Sequence, residues 1–186
     1  MILVIHISNN SYMDLLDKNV DELYWRLIRE YEELFPDEVS PADAKRYFGE
    51  IRIIEILENA RGRKIRFIET LSAEEEEVDE IYYTYEYEGD PSKEDKLIEK
   101  FYDLARPHAI KFEYQGHPVM FRDIIGIEKT IVLLEKASSR YIEVIYNVKE
   151  DQENISPDDL EFIILEDDEW YDFETGKIKK EDELDD

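Results

Sequence analysis

From Val78 to Glu88 the chain alternates with a period of two. Ile81, Tyr83, Tyr85 and Tyr87 fall on one side, and Glu80, Tyr82, Thr84, Glu86 and Glu88 on the other. Successive side chains of a β-strand point to opposite faces, so this run requires one dry aromatic face and one wet acidic face. Strands of that kind belong to antiparallel sheets with one solvated side.

The same run lies in a strongly charged stretch. The chain carries 49 acidic and 23 basic side chains, a net charge of -26. Residues 71–92 hold nine acids and no base, and residues 150–186 hold seventeen acids and three bases. These stretches contribute -9 and -14, so -23 of the -26, and the remainder is nearly balanced. Like charges repel in the compact state, and their concentration in two stretches points to a surface made for a cationic partner.

A length of 186 residues with 42% hydrophobic and 12% aromatic residues is enough for a real core. Disordered acidic chains lack such aromatics. No cysteine is present, which excludes disulfides and thiolate metal sites. Met1–Ile7 reads as a short buried strand with no basic residues before it, unlike a secretory signal. No run approaches the roughly eighteen apolar residues of a membrane span. The expectation is a cytoplasmic protein that does not enter membranes.

Leu16, Val20, Leu23, Leu27, Tyr31 and Leu34 recur at helical steps, widened by Tyr24, Ile28 and Phe35 and ended by Pro36. Ser40-Pro41 opens a second helix that stops near Gly49. The isoleucines of Glu50–Leu57 suggest a strand that forms a hairpin with Lys64–Thr70. Arg52, Arg61, Arg63, Lys64 and Arg66 make this the basic part of the chain, with a structural role against neighbouring acids. A helix capped by Ser92 carries Leu97, Ile98, Phe101, Tyr102 and Ala105 and closes at Pro107. Ala109–Tyr114, Val119–Ile127, Thr130–Lys136 and Arg140–Val148 read as strands, and Leu160–Leu165 and Trp170–Phe173 add further short ones. The expected fold class is α+β: a largely antiparallel β-sheet packed with about three helices. It forms a single domain over residues 1–178, followed by an acidic disordered tail over 179–186.

The string Asp172-Phe173-Glu174-Thr175-Gly176, behind Trp170-Tyr171, resembles the first motif of the DEDD exonucleases. The resemblance covers five residues. It implies Asp172 and Glu174 as ligands of a catalytic metal, since two-metal phosphoryl chemistry needs clustered carboxylates. That family has further acidic motifs downstream, and only ten residues follow Gly176. Glu166-Asp167-Asp168-Glu169 and Asp158-Asp159 offer oxygens to a divalent cation, but without the spacing or glycine of an EF-hand loop. His6 sits in an apolar run, while His108 and His117 each adjoin a proline, and their spacing matches no zinc-enzyme pattern. No G-x-S-x-G, Walker or other Gly-rich phosphate loop occurs. The global charge opposes direct nucleic-acid binding.

Carboxylates at alternate strand positions lie about 6.6–6.8 Å apart, commensurate with successive phosphates of a nucleic-acid strand. A row of such acids imitates a phosphate backbone towards a basic protein, and interleaved aromatics anchor the contact. The functional expectation is a non-enzymatic acidic protein-binding module, an inhibitor or nucleic-acid mimic that occupies the basic surface of a nucleic-acid-binding partner. The residues expected to bind that partner are Glu80, Tyr82, Glu86, Glu88, Asp167, Asp168, Glu169, Trp170, Asp172 and Glu174. No catalytic residue, metal or cofactor is expected in this reading. The alternatives are a metal-dependent hydrolase or nuclease using the C-terminal carboxylates, or an acidic accessory subunit of an assembly.

Overall fold

The computed structural model describes residues 9–72, 80–113, 116–147 and 155–181, with side chains described from Asp17 onward except at 71–72 and 80–82. The strand expected at Met1–Ile7 lies outside the described residues, as do residues 182–186 of the expected tail. The fold is α+β and every strand pair is antiparallel. Among the described residues it has six α-helices and three two-stranded sheets, where about three helices and one larger sheet were expected. The chain divides into two compact units, Val20–Glu99 and Met1–Asn19 with Lys100–Asp186.

In the Val20–Glu99 unit, α1 (Asn9–Leu34) contributes its second half. Val20, Leu23, Tyr24, Ile28 and Tyr31 of the sequence stripe are buried at three- and four-residue steps, whereas Leu34, expected in the same stripe, is exposed at the end of the helix. Ser40 caps the next turn, its hydroxyl accepting from the Ala42 N–H at 3.2 Å, and Pro41 opens a short 3-10 turn that runs into α2 (Lys45–Phe48). Gly49, at φ 75°, separates α2 from α3 (Glu50–Ala60). The segment expected as a strand at Glu50–Leu57 is therefore a helix. Its run of isoleucines fits either element, and helical spacing decides it. Ile53, Ile54 and Leu57 share the buried face, and Arg52 pairs with Glu55 one turn on.

That reassignment changes the hairpin. β1 (Lys64–Ser72) pairs not with residues 50–57 but with β2 (Glu80–Glu88), in a register that sets Arg66 opposite Glu86 and Phe67 opposite Tyr85. The Tyr31 hydroxyl accepts from the Ile65 N–H at 2.9 Å and donates to the Ile65 carbonyl at 3.4 Å, tying the hairpin to α1.

α4 (Lys96–Lys111) starts at an Asp95 cap, whose carboxylate accepts from Leu97 N–H at 3.1 Å. Ser92, expected as the cap, instead donates to the Arg61 carbonyl at 2.5 Å. The helix continues through Pro107, so Ala109–Lys111, expected in a strand, form its last turn.

In the other unit, Phe101, Tyr102, Ala105 and His108 of α4 are buried at helical spacing. α5 (Pro118–Ile125) and α6 (Ile127–Ala137) replace the strands expected at Val119–Ile127 and Thr130–Lys136. Their β-branched residues suggested strands. The end signals favour helices: His117 Nδ1 caps α5 by accepting from Val119 N–H at 3.1 Å, and Pro118 stands at its first position. Gly126, at φ 84°, turns the chain into α6, where Thr130, Ile131, Leu134 and Ala137 are buried on one face. β3 (Tyr141–Tyr146) then pairs with β4 (Leu160–Leu165), and β5 (Glu169–Asp172) with β6 (Lys177–Lys180). Lys179 and Lys180, expected in the loose tail, are thus strand residues.

Candidate functional site

The β1–β2 hairpin places its tyrosines as their alternation requires. Tyr83, Tyr85 and Tyr87 are half-buried, while Thr84, Glu86 and Glu88 are exposed. Phe48 of α2 packs against Phe67 and Tyr85 at 5.7 and 5.8 Å between ring centroids. Tyr47 stacks on Tyr83 at 3.4 Å with 17° between planes, and the Arg46 guanidinium lies over Tyr47 at 4.5 Å. Arg52 donates to Tyr85 Oη at 2.9 Å, and Tyr87 Oη donates to the Ile56 carbonyl at 3.0 Å. Burial pushes the Tyr87 hydroxyl well above the usual tyrosine range. Its bond with Tyr47, followed by partial desolvation, pushes Tyr83 up to about 12. The Tyr83 and Tyr87 phenols therefore stay neutral at neutral pH.

The wet face is less acidic than its sequence implies. Arg66 pairs with Glu86 at 2.5 Å, and Lys64 lies 3.9 Å from Glu88 and 2.6 Å from Glu38. Arg61 pairs with Glu99 at 2.7 Å, while Arg63 donates to the carbonyls of Ala60 and Asn59 at 2.9 and 2.7 Å. The basic segment is therefore met by neighbouring acids and carbonyls, as the sequence suggested. Glu80 and Tyr82 hold the same strand parity as Glu86 and Glu88, and their side chains lie outside the described residues.

The second acidic group is built around the β5–β6 hairpin. Asp172 is buried and both its oxygens are engaged. Oδ1 accepts from the N–H groups of Glu174 and Thr175 at 2.9 and 3.2 Å, and Oδ2 pairs with Lys179. The Lys179 ammonium, then the Thr175 bonds, hold the Asp172 carboxyl well below the usual carboxylate range. The Asp172 carbonyl accepts from Gly176 N–H at 2.8 Å, with Gly176 at φ 65°. The string that resembles an exonuclease motif is thus the turn of a β-hairpin.

Lys179 also lies over the Trp170 ring at 5.3 Å. The Trp170 indole nitrogen is buried and has no hydrogen-bond partner among the described residues. Around the β4–β5 turn, Arg140 pairs with Glu166 at 2.8 Å, and Glu169 accepts from the Glu166 N–H at 3.0 Å. Lys111 lies 3.9 Å from Asp167, and Lys180 3.6 Å from Asp168. Asp159 accepts from Ser156 N–H at 2.7 Å in a capping box. Glu174 is exposed, with its backbone in the turn.

Of the ten residues expected to bind a partner, Glu80, Tyr82, Glu86 and Glu88 share one strand. The other six lie along β5 and the turns that flank it. Local sequence concealed the bases opposite them, because Arg66 and Lys179 reach their acids through strand pairing. Among the described residues, no group of three or more His, Asp or Glu side chains is arranged to hold a metal ion. His108 is buried against Phe112 at 4.8 Å, His117 serves as a helix cap, and His6 lies outside the described residues. Among the described residues no helix is long and apolar enough to cross a membrane. No known protein family, curated protein or solved structure matches this chain.

Proposed function

We propose that this chain is a non-enzymatic acidic protein-binding module that occupies the basic surface of a nucleic-acid-binding partner, as an inhibitor or nucleic-acid mimic does. One observation carries the reading. With 49 acids against 23 bases, no arrangement of internal ion pairs can neutralise the chain, and the excess is concentrated in two stretches. Such a field steers encounter with a cationic surface and raises the association rate. The hairpin supports the reading by holding Glu86 and Glu88 exposed on a strand braced by aromatic packing, so little conformational freedom is lost on binding.

The metal-dependent alternative lacks a ligand set in the described residues, since Asp172 would have to release both a lysine and its turn to coordinate an ion. The test is retention of basic nucleic-acid-binding proteins on immobilised chain at about 50 mM salt, with release near 500 mM as the Debye length shortens. Duplex DNA added in excess competes for the same proteins. A chain that retains no basic protein at low salt, or retains them equally in the presence of DNA, does not have this function.

A further inference from the structure

We infer that the outer edge of β2 is a docking site for an extended lysine- or arginine-rich segment of a partner protein, which adds to the hairpin as a third, antiparallel strand. The inference rests on the acidic-binder reading above and supplies its mode of contact.

The main-chain geometry follows from Tyr31. Its hydroxyl takes both the N–H and the carbonyl of Ile65, so these groups point away from β2. Facing residues of an antiparallel pair alternate between those that exchange hydrogen bonds and those that do not. Ile65 faces Tyr87, which makes that pair a non-bonded one. The same parity covers Phe67 with Tyr85 and Glu69 with Tyr83. The N–H and carbonyl groups that β2 turns away from β1 are therefore those of Tyr83, Tyr85 and Tyr87. Among the described residues no further strand or side chain bonds to them. The two edges of this hairpin thus differ at the Ile65–Tyr87 end: β1 has its outward groups at Ile65 capped by a phenol, whereas among the described residues nothing caps the outward groups of Tyr83, Tyr85 and Tyr87 on β2. An open edge is a template for strand addition.

Charge selects the occupant. A strand laid along β2 sets every second side chain beside Thr84, Glu86 and Glu88 on the wet face. Arg66 and Lys64 flank these glutamates from the β1 side only, which leaves the other side to the incoming strand. The surrounding stretch, residues 71–92, has nine acids and no base. A second copy of β2 is the wrong occupant, because like charges brought together across strands are destabilising.

The test uses the full chain and a nine-residue peptide alternating lysine and valine, titrated at low salt. With lysines on the wet face, the valines lie opposite the tyrosines, and the valine amides are the ones that face β2. The expected results are slowed amide exchange at Tyr83, Tyr85 and Tyr87, and about tenfold or greater loss of affinity when the valine amides are N-methylated. N-methylation of the lysine amides should leave affinity nearly unchanged. Equal affinity for all three peptides overturns strand addition while leaving the acidic-binder reading intact, since charge alone would then explain binding. No binding of the unmodified peptide also overturns it, and retention of basic proteins then judges the broader reading separately. Protection of the same three amides by the chain's own concentration, without peptide, would assign the edge to a second copy and overturn the inference.

Discussion

Glu86 and Asp172 both stand on short antiparallel hairpins in acid-rich stretches, and each has a base across the strand, yet the consequences differ. The Glu86–Arg66 pair is open to water on both sides, with 57% and 61% of the side chains exposed. Such a pair is screened and leaves the glutamate available. Asp172 is 10% exposed at its side chain and spends one oxygen on a turn and the other on Lys179. Its carboxylate builds the hairpin. Whether a carboxylate in so acidic a chain is surface or scaffold depends on what its two oxygens touch, which the count of charges does not reveal.

The largest expected effect tests how the first hairpin is held. Tyr31→Phe removes both bonds to Ile65 while keeping the ring, and leaves a buried N–H and carbonyl unmet. The expected destabilisation is about 1–3 kcal/mol by denaturant unfolding. Amide exchange at Ile65 should accelerate with it. An unchanged stability would mean that β1 does not need its cap, and the contrast between the two edges of the hairpin would dissolve.

The second prediction tests the other hairpin through pH. Asp172 has a depressed carboxyl, so its contribution is present above the ordinary aspartate value of about 3.9 and is lost as pH falls through the lower folded value. Asp172→Asn should abolish that acid-side loss and accelerate amide exchange at Thr175 and Gly176 at neutral pH. Glu143 of β3 serves as an internal control of opposite sign. Burial raises its carboxyl, against its bonds to Tyr141 and Val144, so its contribution is complete below the ordinary glutamate value and lost as pH rises through the raised one. Glu143→Gln should therefore stabilise the chain slightly at pH 7, by less than about 1 kcal/mol given its partial exposure. If both variants shift stability in the same direction at pH 7, the division between scaffold and surface carboxylates is drawn in the wrong place.

How far the sequence exposes this arrangement depends on the range of the deciding contact. The Tyr/Glu strand is legible because period two is local, and α1 because its stripe runs through Val20, Leu23 and Tyr31. α3, α5 and α6 read as strands because their isoleucines and valines fit a sheet, while the evidence for helices lies in end groups: Gly49, His117-Pro118 and Gly126. A strand at 50–57 would take β1 as its partner, whereas the helix there leaves β1 to β2 and sets Arg66 opposite Glu86. Lys179 was hidden for a related reason. A short KIKK run between acids looks like tail until β6 pairs with β5 and carries the lysine to Asp172. The open edge of β2 is invisible to any reading of side chains, because main-chain groups form it and a tyrosine thirty-four residues before Ile65 reveals its parity.

The smallest expected effect is on stability and the more informative one on binding. Arg66→Ala deletes an exposed ion pair, so unfolding should be unchanged within error. It also leaves Glu86 without its cross-strand cation. If Arg66 masks the glutamate, affinity for the lysine–valine peptide at low salt should rise by about two- to fivefold, the scale of one surface ion pair, and the gain should vanish at high salt. If instead stability falls clearly and the peptide binds no better, Arg66 braces the hairpin as Lys179 braces Asp172. Glu86 would then belong with the scaffold carboxylates, and the binding surface would have to lie among the other acids of the stretch. The variant thus asks of the first hairpin what the geometry of Asp172 has already answered for the second.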